Sequence, residues 1–210
     1  MIILYGNPYS RANRVRWILE LMEVPYEEIQ VKLGSEGTGS VDFREINQNA
    51  KIPVLDDSGF ILFESIPICL YLAKKYAPTT LYVNNVIDEA VLLQWAVWAM
   101  TELEHHIEIA SLNLTWLDEK SRNTAIAEKE QAEILRCLSM LEKQIEKNGF
   151  LVNDYFTVAD LIMCEILTGI VHAKVELKLF PHLHTYLKNN LSHVSASKAF
   201  SKDIISPFVD

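Results

Sequence analysis

The chain has 210 residues, half of them hydrophobic, with 28 acidic against 19 basic side chains and a formal net charge of −9. That is enough for one large domain or two small ones. An acidic chain without a basic run suits neither nucleic acid nor an anionic membrane, and no apolar stretch approaches the roughly 20 residues that span a bilayer.

Ile2, Ile3 and Leu4 form a short apolar run of strand character. Gly6, Asn7 and Pro8 break it. Ala12, Val15, Leu19 and Met22 then recur at helical spacing. A buried strand therefore runs through a tight turn into a helix, and Ser10 stands where that helix starts. Such a start has unpaired N–H groups and the positive end of the helix dipole. It suits an anion, a thiolate included. A serine there is also an ordinary N-cap, and both readings stay open.

Pro25 ends the first helix. Ile29, Val31 and Leu33 alternate in a strand over 26–33 with one wet face. The run 34–40, GSEGTGS, is a loop, and 42–47 is a short helix. A strand over 52–55 opens with Pro53, where a missing donor is tolerated. A turn at 56–59 leads to a return strand over 60–63. Glu64 and Ser65 open a helix over 66–76 with Pro67 in its first turn. The order β-α-β-α-β-β-α makes an α/β domain over 1–77.

A linker over 78–85 follows, and beyond it no strand pattern appears, so 86–210 is an all-helical domain. It opens with a long helix over 86–117. A turn at 118–122 leads to an amphipathic helix over 123–147 that ends at the Asn148-Gly149 C-cap. Thr157 and Asp160 make a capping box ahead of a nearly wholly apolar, buried helix over 161–171. Another helix begins at Pro181.

Cys69, Cys137 and Cys164 lie far apart in helical patterns and lack zinc-ligand spacing, so they read as reduced, intracellular core residues. The start lacks the basic segment of a secretory leader, which points to a cytoplasmic protein. His105 and His106 are neighbours on a helix and so do not face one way, which argues against a metal site. Glu102 and Glu104 read as a solvated face.

Four stretches, in this order and spacing, resemble the glutathione S-transferase family over essentially the whole chain. They are YGNPYSRANRVRW from Tyr5, NQNAKIPVL from Asn47, FESIPICLYLAKKY from Phe63 and FTVADL from Phe156. The resemblance implies a thioredoxin-like N-terminal domain that carries a glutathione site. The all-helical domain would supply most of the pocket for a second substrate. It further implies a homodimer that uses glutathione as co-substrate, with a small apolar electrophile as the other partner. No metal, nucleic acid or membrane partner is expected.

The resemblance also assigns roles. The Ile52 backbone would pair with the cysteinyl part of glutathione as an added strand does. Pro53 resembles the family's cis-proline. Ser65 would bind the γ-glutamyl carboxylate at a helix start, Glu64 the ammonium beside it, and Lys51 the glycine carboxylate. Thr157 and Asp160 match the family's structural capping pair.

Three residues compete to activate the thiol. Ser10 lies where the plant-type serine class keeps its serine, in a G-x-P-x-S pattern. Tyr5 lies where the tyrosine classes keep their hydroxyl. Asn7 lies where the cysteine classes and glutaredoxins have a cysteine. A thiol with a pKa near 8.5 must be pulled down by hydrogen bonding and the dipole. Ser10 offers both and is the favoured residue, with Tyr5 and Asn7 as alternatives. Without cysteine at positions 7 and 10 the turn forms no protein dithiol, which disfavours thiol transfer. The expected activity is conjugation of the glutathione thiolate to apolar electrophiles. A glutathione-dependent isomerase or peroxidase, or a non-catalytic ligand-binding protein, are the alternatives on this fold.

Overall fold

A computed structural model describes residues 1–209. In chain order the elements begin with β1 (Ile2–Gly6), α1 (Ala12–Leu21), β2 (Tyr26–Gln30), α2 (Val41–Ile46), β3 (Val54–Asp57), β4 (Phe60–Phe63) and α3 (Ser65–Tyr76). Then come α4 (Val86–Trp98), α5 (His105–Ser111), α6 (Thr124–Asn148), α7 (Val158–Thr168), α8 (Pro181–Leu191), α9 (Val194–Ala199) and α10 (Lys202–Val209).

The sheet has the order β2-β1-β3-β4, with β1 parallel to β2 and antiparallel to β3, and β3 antiparallel to β4. Tyr5 pairs with Val54, and Val54 with Phe63. The end of β1, the beginning of β3 and the end of β4 therefore lie at one edge of the sheet. Leu4, Val54 and Leu55 are fully buried, and α1 and α3 pack together on the sheet.

β2 stops at Gln30, short of the expected 33. The carbonyl of Gly6, the last residue of β1, takes the Val31 N–H at 2.8 Å, and the ladder has no further partner. The expected alternation also fails on this strand. Ile29 and Leu33 are exposed, whereas Glu28 takes a two-pronged ion pair from the buried Arg16, Nε at 2.9 Å and Nη2 at 2.6 Å. A bidentate guanidinium–carboxylate contact is among the stronger polar pairs, and here it sets which face of β2 turns inward.

The chain divides into two units. The first comprises 1–82 together with Val194–Ser201, a segment the sequence reading placed in the helical domain. Its anchors are long-range. The Trp17 indole N–H donates to the Ser195 hydroxyl at 3.0 Å, the Trp17 and Phe200 rings meet edge-on at 5.4 Å, and Arg16 Nη1 donates to the Ala199 carbonyl at 2.9 Å. Within the expected linker, Leu81, Tyr82 and Val83 are buried.

In the second unit, 86–116 runs as one helix with π-helical turns at Ala99–Glu104 and Leu112–Trp116. α6 is capped by Asn123, whose side chain accepts from the Ile126 N–H. It ends at Gly149 with φ +76°, a left-handed C-cap that glycine adopts without strain. All eleven residues of α7 are buried. Among the described residues no helix is long and apolar enough to cross a membrane.

Candidate active site

Gly6 closes β1 where a Cβ would come within 2.6 Å of the Ala12 side chain, so only glycine permits this turn into α1. In the turn, Asn7 Oδ1 accepts the Tyr9 N–H at 3.0 Å, a local Asx-type bond, while Asn7 Nδ2 reaches the Val31 carbonyl at a long 3.5 Å. Ser10 is half-buried. Its hydroxyl donates to the Asn7 carbonyl at 2.8 Å and accepts the Ala12 N–H at 3.2 Å. The N-cap position falls on Arg11, one residue later than the sequence suggested. A guanidinium has no acceptor, Arg11 makes no capping bond, and the first turn of α1 holds no acidic residue. The Ser10 hydroxyl is thus the polar group placed at the start of this helix, and its own proton is held only by a neutral carbonyl.

Tyr5 belongs to a small apolar cluster instead. Its ring meets Phe43 edge-on at 6.3 Å, and it packs against Val31, Phe43 and Val54. Burial, then the nearby Asp56 and Glu27 carboxylates, push its hydroxyl above the usual tyrosine range. Acidic neighbours oppose a further negative charge at that spot.

Asn47 shapes the next segment. It is 3% exposed. Its amide donates to the Lys51 carbonyl at 2.8 Å, its Oδ1 accepts the Asn49 N–H at 3.1 Å, and its carbonyl accepts the Ala50 N–H at 2.9 Å. These bonds close the loop that leads into β3. Ile52 is half-buried against the same cluster as Tyr5, Pro53 is buried, and Lys51 is exposed. The Ile52–Pro53 peptide is cis, as the resemblance implied. The sequence reading gave Asn47 no role. Its only signal was membership of the polar run at 47–49, which does not tell which amide is buried.

Glu64 follows β4 with φ +71°, a left-handed value that costs a non-glycine residue about 1–3 kcal/mol. Glu64 is the N-cap residue of α3 but makes no capping bond, and the first turn of α3 carries no acidic residue. Ser65, its first residue, is 5% exposed.

By the strand register, the Asn7–Ser10 turn, the Lys51–Pro53 segment and the Glu64–Ser65 corner all stand at one edge of the sheet. Two helix starts without an acidic residue in the first turn or a bond from the N-cap side chain flank a stretch of backbone that enters a strand. That arrangement can hold a peptide-like molecule with anionic groups at both helix starts and its own backbone along residue 52. Glu104 has no such place. It is buried in the second unit rather than on a solvated face, while Glu102 is partly exposed and pairs with Arg136 at 3.4 Å.

The mixed four-stranded sheet with this order, and with a cis-proline ahead of β3, defines the first unit as a thioredoxin-like domain. The chain matches the family models described as glutathione S-transferase, N-terminal domain, over residues 1–74 and glutathione S-transferase, C-terminal domain, over residues 100–193. It is 31% identical over 163 residues to glutathione S-transferase 3 of Zea mays, covering 75% of this chain and 72% of that one. It is 28% identical over 216 residues to the disulfide-bond oxidoreductase YfcG of Escherichia coli K12, covering 96% and 95%. The crystal structure of the glutathione transferase URE2P5 from Phanerochaete chrysosporium superimposes with a TM-score of 0.90 at 25% identity, over 98% of this chain and 95% of that one. The chain belongs to the glutathione S-transferase family, and as an enzyme it is a glutathione transferase.

Proposed function

We propose that this protein binds glutathione at the sheet edge described above and transfers its sulfur to an electrophilic carbon of an apolar substrate, with Ser10 holding the thiolate. The observation that carries this reading is the Ser10 hydroxyl, half-buried at a helix start with no acidic partner and bonded only to a neutral carbonyl and one N–H. As glutathione binds, the thiol proton leaves to solvent. The hydroxyl turns from the Asn7 carbonyl to the sulfur and exchanges a neutral hydrogen bond for a charge-assisted one. The α1 dipole adds to the same effect. The thiolate lone pair then forms the S–C bond; a haloarene loses its halide with the bonding pair, and an enone instead takes the pair to its oxygen as an enolate that is protonated from solvent.

The rest of the tripeptide has a partner for each charge. Ser65 and the start of α3 suit the γ-glutamyl carboxylate, Glu64 its ammonium and Lys51 the glycine carboxylate. The Ile52 backbone suits the cysteinyl amide. Tyr5 is disfavoured as activator by its burial and acidic surroundings, and Asn7, whose Oδ1 is taken by the Tyr9 N–H and whose Nδ2 makes one long bond to the Val31 carbonyl, is the remaining alternative.

A second reading, glutathione-dependent disulfide reduction, draws support from the oxidoreductase relative that spans 96% of this chain. It would proceed without protein thiols, because the free cysteines 69, 137 and 164 are all buried. Those reduced thiols support a cytoplasmic setting. The exposed Val86, Leu93, Val97 and Met100 of the 86–116 helix share one face and support a two-fold homodimer across it. Sedimentation should give twice the 24.0 kDa chain mass, and a monomer at micromolar concentration would rule the dimer out. For the activity, the purified protein is tested for retention on immobilised glutathione and then against haloarenes, enones, hydroperoxides and a small disulfide. Conjugation of the first two is expected. Turnover of the disulfide alone would favour the second reading, and failure to bind glutathione would overturn both.

A further inference from the structure

The histidine pair at the start of α5 behaves differently from the sequence reading. His105 and His106 do not diverge: their ring centroids are 4.6 Å apart, tilted by 56°. Neighbouring Cβ atoms on a helix point in different directions, but side chains of this length can bring their tips together. Glu130, on α6, reaches the same place and contacts His106 Nδ1. One ligand atom from each of His105, His106 and Glu130 lies within 4.8 Å of the other two. We propose that these three side chains form a binding site for a divalent transition-metal ion of the Zn2+ type, bridging α5 and α6.

The donor set decides the class of ion. Two imidazoles and one carboxylate suit Zn2+, Cu2+ or Ni2+, whereas Mg2+ and Ca2+ call for oxygen donors throughout. Three protein ligands leave a further position for water, as in open zinc sites. Donors about 2.1 Å from one tetrahedral ion lie about 3.4 Å apart, so the widest pair must close by up to roughly 1.4 Å, and the ion would take the place of the direct His106–Glu130 contact. His105 is exposed and free to make that move, whereas Glu130 and His106 are held by packing, with side chains 10% and 17% exposed. A mostly buried carboxylate needs a proton or a cation beside it.

The charges around the site favour a cation. Glu133 lies one turn beyond Glu130 and within electrostatic reach of His106. Glu102 lies one turn before His106. Arg136 pairs with both, with Glu133 at 2.8 Å and Glu102 at 3.4 Å, and offsets part of their charge. Cys137 offers a softer ligand nearby, but its thiol is buried and donates to the Glu102 carbonyl. None of the three ligands belongs to the thiol site, so the proposal stands apart from the transferase reading.

The test is calorimetric titration of the metal-stripped full-length protein with ZnCl2 and, separately, MgCl2, together with melting curves. One equivalent of Zn2+ should bind and Mg2+ should not, and Zn2+ should raise Tm by mass action on the native state. His105→Ala should weaken Zn2+ binding tenfold or more while leaving the metal-free Tm unchanged, because His105 is exposed. Glu130→Gln should weaken it similarly, and Cys137→Ser should leave it intact. If His106 and Glu130 form only a structural contact, His105→Ala will not alter Zn2+ binding, and the proposal fails. It fails equally if no stoichiometric Zn2+ binds, or if Cys137→Ser alone abolishes binding.

Discussion

At the start of α7, the Thr157 hydroxyl and backbone N–H both go to Asp160, at 2.8 and 2.9 Å, and the pair is fully buried. The same carboxyl also accepts the Leu151 N–H and the Tyr186 hydroxyl, each at 2.9 Å. At the start of α1, the Ser10 hydroxyl bonds to one carbonyl and one N–H, with no acidic side chain in the turn. Both helices begin beside a hydroxyl. In α7 the acidic partner is part of the chain, and in α1 its place stands open to a ligand.

The contrast extends through the molecule. α2, α4 and α6 are capped by Ser40, Asn85 and Asn123. α8 takes its cap from another helix, since Glu142 on α6 accepts the His182 N–H at 3.0 Å and the Leu183 N–H at 2.9 Å. α1 and α3, the two helices at the candidate site, have no bond from their N-cap side chains, and at α1 the Ser10 hydroxyl alone takes one first-turn N–H, that of Ala12. A helix start that the protein leaves without an acidic acceptor is available to bind an anion.

The largest expected effect lies on the structural side of this comparison. Asp160→Ala leaves several buried donors without an acceptor and should cost about 3–5 kcal/mol. A thermal melt should show a drop on the order of 10 °C. A loss below about 1 kcal/mol would mean that α7 does not depend on its built-in acid. On the open side, Ser65→Ala should weaken glutathione binding by about 1–3 kcal/mol in calorimetry, with little change in Tm. If the melt moves and the affinity does not, Ser65 serves as a cap after all.

Glu142 is the intermediate case and titrates. Burial raises its carboxyl pKa, but donors from the His182 and Leu183 backbone and the His182 ring outweigh this and hold it below the ordinary 4.5. Its stabilising contribution is therefore present above pH 4.5 and fades as pH falls through the lower native value. Glu142→Gln should cost about 1 kcal/mol near neutrality. The difference from the parent protein should shrink in acid, and denaturant curves across that range check it. A difference constant with pH would mean that the charge is not what caps α8.

Much of this contrast was visible in the amino-acid order, because caps and turns are local. Asn123, Gly149 and the Thr157–Asp160 box all signal within four residues of where they act. The element order to Tyr76 followed from the same kind of signal. What stayed hidden is non-local. The Arg16–Glu28 pair reads as two polar residues in separate elements, and it turns Glu28 inward where Ile29 was expected. The docking of Val194–Ser201 depends on Trp17 and Ser195, which lie 178 residues apart. Asn47 looks like any polar loop residue until its amide is seen to close the loop at Lys51. Glu130 gives no sign in the sequence that it meets His106.

The central claim is that the open start of α1 exists to hold a thiolate, and that Ser10 does the holding. Titrating thiolate absorbance of bound glutathione tests it directly, in the parent protein and in Ser10→Ala, Tyr5→Phe and Asn7→Ala side by side. Loss of one charge-assisted hydrogen bond should raise the thiol pKa by about 1–2 units in Ser10→Ala alone, with glutathione affinity nearly unchanged. An unchanged pKa in Ser10→Ala, with the rise appearing instead in Tyr5→Phe or Asn7→Ala, would contradict the account and move the role to that residue.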